Sequence, residues 1–167
     1  MKTALFSAAT AVSLALSVGS SAHAQHYTQV NLVANTSGVA PVTDPNLVNP
    51  WGLSRTSSSP WWISDNGNGL STLYNGAGVI NPLVVTIPKS NPNSKVFPTG
   101  TPTGTIANSS PTDFLLAPGT PAAFLFSTID GTISAWNPTV GVAPGSAPPS
   151  KLATIVVKTT DGSSYTG

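Results

Sequence analysis

The sequence predicts an all-β protein built from short antiparallel strands, and three observations carry that expectation. Sixteen Pro and fifteen Gly among 167 residues interrupt every stretch in which a long helix could propagate. Short runs rich in Val, Ile, Leu, Thr and Trp recur between turn signals such as Asn75-Gly76 and Asp130-Gly131. A four-strand pattern over residues 49–88 then returns in diverged form over 111–158.

Residues 1–24 read as a secretory signal. Lys2 supplies the positive start, residues 4–18 are almost wholly apolar, and Ala22-His23-Ala24 offers the small-x-small pattern of a cleavage site. The apolar run is short for a membrane span, so a secreted chain with no stable membrane insertion after cleavage is expected, starting at Gln25. Of the six Lys and Arg, Lys2 falls in the signal; the remaining five balance five Asp, and the chain has no Glu. A neutral chain without a basic stripe has nothing with which to collect phosphates, which argues against a nucleic-acid partner. The absence of Cys excludes disulfides, thiol catalysis and thiolate metal sites.

The alternation of Tyr27, Val30, Leu32 and Val33 with polar neighbours predicts a strand over 26–33, followed by a loop rich in Asn, Thr, Ser, Gly and Pro. The organising unit follows, with strands expected at 51–53, 61–64, 70–74 and 83–87. Its central turn, Asp65-Asn66-Gly67-Asn68-Gly69, supplies residues tolerant of positive φ. Residues 88–105 read as a long surface connection. Strands are then expected at 112–116, 122–128, 132–136 and 152–157. Gly69 to Asn75 align with Gly131 to Asn137 at an offset of 62 residues (137 minus 75), each segment ending in an aromatic-Asn pair.

Four-stranded antiparallel units at such a period are the mark of β-propeller blades. A two-sheet sandwich is the rival reading, although it gives no reason for an internal repeat. Propellers close with about four to eight blades, so a chain with two such units reads as the N-terminal fragment of a longer propeller, over residues 25–167.

Thr43-Asp44-Pro45-Asn46-Leu47-Val48-Asn49-Pro50-Trp51-Gly52-Leu53 and Ser64-Asp65-Asn66-Gly67-Asn68-Gly69-Leu70-Ser71-Thr72-Leu73-Tyr74-Asn75-Gly76 resemble an uncharacterised family of exported bacterial β-propeller proteins, some with a PEP-CTERM sorting tail. Phe126-Ser127-Thr128 and Asp130-Gly131-Thr132-Ile133-Ser134-Ala135-Trp136-Asn137 match the next part of the same pattern. The resemblance covers most of residues 25–167. It implies about six blades of the NHL-like or lactonase-like kind and an extracytoplasmic address, and it brings no established activity.

Asp65-Asn66-Gly67-Asn68-Gly69 looks like a calcium loop, but Gly67 stands where an oxygen donor is needed and no Glu follows, so a hairpin turn is the stronger reading. Asp65 and Asp130 remain the metal candidates, with calcium the divalent ion to consider and no cofactor required. Asp44 and Asp113 are the other carboxylates that could face a cleft, and Asp44 and Asp130 also suit ordinary turn roles. Trp51, Trp61, Trp62 and Trp136 could stack on sugars or pack a core. Trp61 and Trp62 point to opposite faces of one strand, and either is a ligand-platform candidate. His26 is the only histidine after the signal and sits at a terminus, a poor place for a general base. No nucleophile elbow, Walker loop or dinucleotide fingerprint occurs.

The function expected from these residues is a non-catalytic binding or scaffolding module for a protein or polysaccharide. A metal-dependent lactonase or lyase whose site lies largely in further blades is the alternative, and a structural spacer at the cell surface is a third reading.

Overall fold

The structure is a computed structural model that describes residues 27–167; the signal-like segment 1–24 and His26 lie outside the described residues. Among the described residues the protein is all-β, with no helix. A short parallel pair, β1 (Val33–Ala34) and β2 (Val42–Thr43), precedes two four-stranded antiparallel sheets. Sheet one runs in chain order: β3 (Pro50–Ser54), β4 (Trp61–Asp65), β5 (Leu70–Tyr74) and β6 (Val85–Thr86). Sheet two begins with β7 (Pro102–Ala107). A small hairpin of β8 (Leu115–Ala117) and β9 (Thr120–Pro121) interrupts it. It continues through β10 (Phe124–Thr128), β11 (Thr132–Trp136) and β12 (Thr154–Lys158), so its spatial order is β7-β10-β11-β12.

The two sheets share local detail as well as strand order. Pro50 and Pro102 open the edge strands, where a missing N–H leaves no gap in an interior ladder. A three-residue step along β3 (Pro50 to Leu53) matches a two-residue step along β4 (Asp65 to Ile63), and a three-residue step along β7 (Pro102 to Thr105) matches a two-residue step along β10 (Thr128 to Phe126). Each sheet therefore carries the same bulge beside its first strand. The central turns end in Gly69 (φ 72°) and Gly131 (φ 78°), a conformation that side chains resist. Gly69 O accepts from Ile87 N at 2.8 Å, and Gly131 O accepts from Thr159 N at 2.9 Å. Asn75 Oδ1 caps the next turn through Ala77 N (2.9 Å), as Asn137 Oδ1 does through Thr139 N (2.8 Å).

The core lies between the sheets. Trp62, Leu73, Val85 and Ile87 from sheet one meet Phe124, Phe126, Trp136 and Ala153 from sheet two. Trp62 stacks on Phe124 with ring centroids 4.2 Å apart and planes 21° from parallel, and it meets Trp136 at 4.6 Å. The pairing registers give the sense of this stacking. Trp61 pairs with Tyr74 and Phe124 with Trp136, so Phe124 occupies the place of Trp61 and not that of Trp62. One face of sheet one is thus covered by the opposite face of sheet two, a head-to-tail arrangement.

The sheets come closest at β3 and β7. A Cβ on Gly52 would lie 2.6 Å from Thr105 N and 2.9 Å from Gly104 C. The last residues take the same position on sheet two. Tyr165 N donates to Thr128 O (3.1 Å), Thr103 Oγ1 donates to Tyr165 O (2.9 Å), and a Cβ on Gly104 would lie 2.9 Å from Gly167 C. The Thr166-Gly167 pair therefore lies over Gly104 as Thr103-Gly104 lies over Gly52.

Two expected strands differ from those observed. The first strand of sheet two is 102–107, which begins within the stretch 88–105 read as a connection, while Leu115 and its neighbours form the inserted hairpin instead of an edge strand. The Pro and Gly of Pro102-Thr103-Gly104 signal a loop locally, but pairing with β10 and close packing on Gly52 outweigh that signal. Residues 27–32 lie outside any strand, with Tyr27 and Val30 exposed, and the ladder with Val42–Thr43 begins only at Val33–Ala34.

Candidate functional site

Sheet one carries two neighbourhoods with chemical potential. The first is the exposed part of its outer face. Leu53 pairs with Ile63, which puts both on the face that carries Trp61. Leu53 is 57% exposed and Trp51 49% exposed. The Arg55 guanidinium lies 5.1 Å from the centre of the Trp61 ring, within cation–π range. Arg55 is held there by Nε donating to Thr56 O (3.0 Å) and Nη2 to Ser57 O (3.1 Å). The result is an apolar and aromatic surface with one fixed positive charge.

Of the four tryptophans, only Trp51 and Trp61 have surface to offer. Trp62 is 3% exposed between the sheets, and Trp136 is buried with Nε1 donating to Ser150 O at 2.9 Å. Trp62 is accordingly withdrawn as a ligand platform: alternation along β4 sends it into the core and its neighbour Trp61 outward.

The second neighbourhood is a buried polar cluster where residues 42–48 cover the β4–β5 end of the same face. Asp44 Oδ2 accepts from the Tyr74 hydroxyl at 2.8 Å, and Asp44 Oδ1 accepts from Asn46 N at 2.9 Å. Asp65 Oδ2 accepts from Thr72 N at 3.0 Å. Asn68 Nδ2 donates to Asn46 O at 2.8 Å. Burial pushes the Asp65 carboxyl up to about 7; hydrogen bonding from Thr72 opposes this and the Asp44 charge adds to it. Burial also pushes the Tyr74 hydroxyl upward, with Asp44 and Asp65 contributing in the same direction.

Asp44 and Asp65 are therefore brought together, and the other carboxylates stand apart from them. Asp130 lies in the turn of sheet two, where Oδ2 accepts from Ser90 N at 2.6 Å. Asp113 is exposed and accepts from the Ser110 hydroxyl at 2.7 Å. The turn after Asp65 is a hairpin turn, with Gly69 N donating to Asp65 O at 3.0 Å. Among the described residues no group of three or more His, Cys, Asp or Glu stands together. Sequence alone marks Asn68 only as part of the loop over 65–69 and gives Tyr74 and Thr72 no site role; the one available signal was an acid at the end of an otherwise well-buried strand. Arg55 carried no signal.

On the far face of sheet two, Ile106, Phe114, Leu125 and Ile133 line a groove of about 690 Å³ beside Gly167. A second hollow of about 740 Å³ lies between Thr86 and residues 141–152. No family model, no curated protein and no solved structure matches the chain.

Proposed function

We propose that the two sheets are consecutive blades of an exported β-propeller and that the protein is a non-catalytic binding or scaffolding module. The matched bulges, the matched Gly69 and Gly131 bonds and the head-to-tail sense of stacking support the blade reading, because a propeller packs the front of each blade on the back of the next. The position of Thr166-Gly167 over Gly104 supports it as well, since the start of a further blade belongs there. The resemblance of the two Trp-containing motifs to exported bacterial propellers agrees with this reading and with a secreted address.

The observation that carries the binding role is the surface of Leu53, Trp61 and Arg55, with the exposed Trp51 on the same strand as Leu53. Aromatic faces beside a fixed guanidinium suit a polysaccharide, by ring stacking and hydrogen bonding, or a protein loop. Retention of the whole chain on immobilised polysaccharides, with Trp51→Ala and Trp61→Ala compared with the parent, tests the role. Weakened retention in both variants at unchanged melting temperature is expected. Equal retention by the parent and the double variant would remove this surface from the account.

A further inference from the structure

The buried cluster under residues 42–48 leaves Asp65 Oδ1 and Asn68 Oδ1 without a partner, while the Thr72 hydroxyl lies against Asp65 and Tyr74. Asp65 and Thr72 are 0% and 1% exposed, so solvent does not serve them from outside. Buried polar atoms are almost always satisfied, and two orphaned oxygens within one cluster call for a ligand. They belong to one connected set. Thr72 N bonds Asp65, Asn68 Nδ2 bonds Asn46 O, Asn46 N bonds Asp44, and Asp44 bonds Tyr74, whose side chain also adjoins Thr72.

From this we propose that Asp44, Asp65, Asn68 and Thr72 hold a calcium ion that fastens residues 42–48 to sheet one. The donors are all oxygen, which suits a hard cation and not zinc or copper. Two carboxylates neutralise a divalent charge that no neighbouring Lys or Arg supplies among the groups acting on Asp65. Amide and hydroxyl oxygens complete a set of the irregular kind that calcium accepts with six to eight ligands, whereas magnesium demands near-octahedral geometry. The site is distinct from the loop pattern of residues 65–69, because Asp44 comes from a segment before the sheet and Thr72 from the following strand. The ion is structural, and the Trp61 surface lies outside it.

The test is calorimetric titration of the full chain with calcium chloride after chelation, with melting followed in calcium and in chelator. One site is expected, with Kd in the range of about 10⁻⁴ to 10⁻³ M found for extracellular calcium modules. The melting temperature should rise with calcium concentration, as mass action requires. Asp65→Asn keeps the shape and removes the charge, and should weaken binding at least about tenfold, as loss of one ligand does. Asn68→Ala is a milder second variant in case Asp65→Asn fails to fold, and should weaken binding as well. Asp161→Asn, on the exposed tail, should leave it unchanged. No heat and no melting shift in the parent would overturn the proposal, because water molecules would then be serving Asp65 Oδ1 and Asn68 Oδ1. Equal affinity in Asp65→Asn or Asn68→Ala would also overturn it, and equal affinity for magnesium would overturn the choice of ion.

Discussion

Replacing Gly52 with Ala tests how tightly the two sheets are joined. Gly52 has an ordinary φ, so Ala fits its backbone, and in free space the change would stabilise by about 0.4–1 kcal/mol through the unfolded chain. The added methyl, however, would stand 2.6 Å from Thr105 N and 2.9 Å from Gly104 C. Those are backbone atoms of a paired strand, and they cannot turn aside as a side chain can. Relief requires β3 and β7 to separate by a few tenths of an ångström or more along their length, which loosens the Trp62–Phe124 stack behind them. Overpacking of this kind costs about 1–3 kcal/mol, and the rigid neighbours place Gly52→Ala near 3. With an unfolding entropy of about 2.1 cal/mol/K per residue, a domain of about 140 residues should melt about 10 °C lower.

Gly76→Ala is the control. An added methyl there meets nothing within 4 Å and the residue has no positive φ, so a change within about 0.5 kcal/mol is expected. Urea unfolding of both variants followed by Trp fluorescence measures the difference. Gly52→Ala within about 0.5 kcal/mol of the parent, or Gly76→Ala as damaging as Gly52→Ala, would refute the reasoning.

Two further perturbations probe other parts of the structure. Trp62→Leu and Phe124→Leu should each destabilise clearly and couple by about 0.5–1.5 kcal/mol in a double-mutant cycle, while Trp61→Leu, half-buried on the other face, should couple to neither. In chelator, the stability contributed by Asp65 should fall as pH rises from about 4 to about 7 and then level off. The folded state holds the proton up to about 7, whereas the unfolded carboxyl loses it near 3.8. The slope should approach about 1.4 kcal/mol per pH unit at most, and Asp65→Asn should flatten it; a rising slope in the same window would contradict the burial of that carboxyl.

The elements legible in the sequence were those with a local cause. Strands β4, β5, β10 and β11 announce themselves through apolar runs bounded by Gly69 and Gly131, and the structure places them within a residue or two of expectation. Strand β7 was not legible, because Pro102-Thr103-Gly104 carries a loop signature and its strand character comes from Thr128, the β10 partner of Pro102, and from Gly52, 26 and 50 residues away in the chain (128 minus 102, and 102 minus 52). The site was legible only in outline. Opposite directions for Trp61 and Trp62 follow from alternation, but which one faces the core depends on the packing of sheet two. The pairing of Asp44 with Tyr74 spans thirty residues, and no spacing rule connects them.

The head-to-tail stacking of the sheets is open to a direct measurement. The chain has no cysteine, so an engineered pair reports without interference. Ser64, on the Trp62 face of sheet one, and Thr105, on the Phe126 face of sheet two, have hydroxyls in contact. Ser64→Cys with Thr105→Cys should oxidise to a single intramolecular disulfide in the folded protein, with the melting temperature retained or raised. Failure to form that bond under native conditions, or its formation only after unfolding, would contradict the stacking on which the account rests.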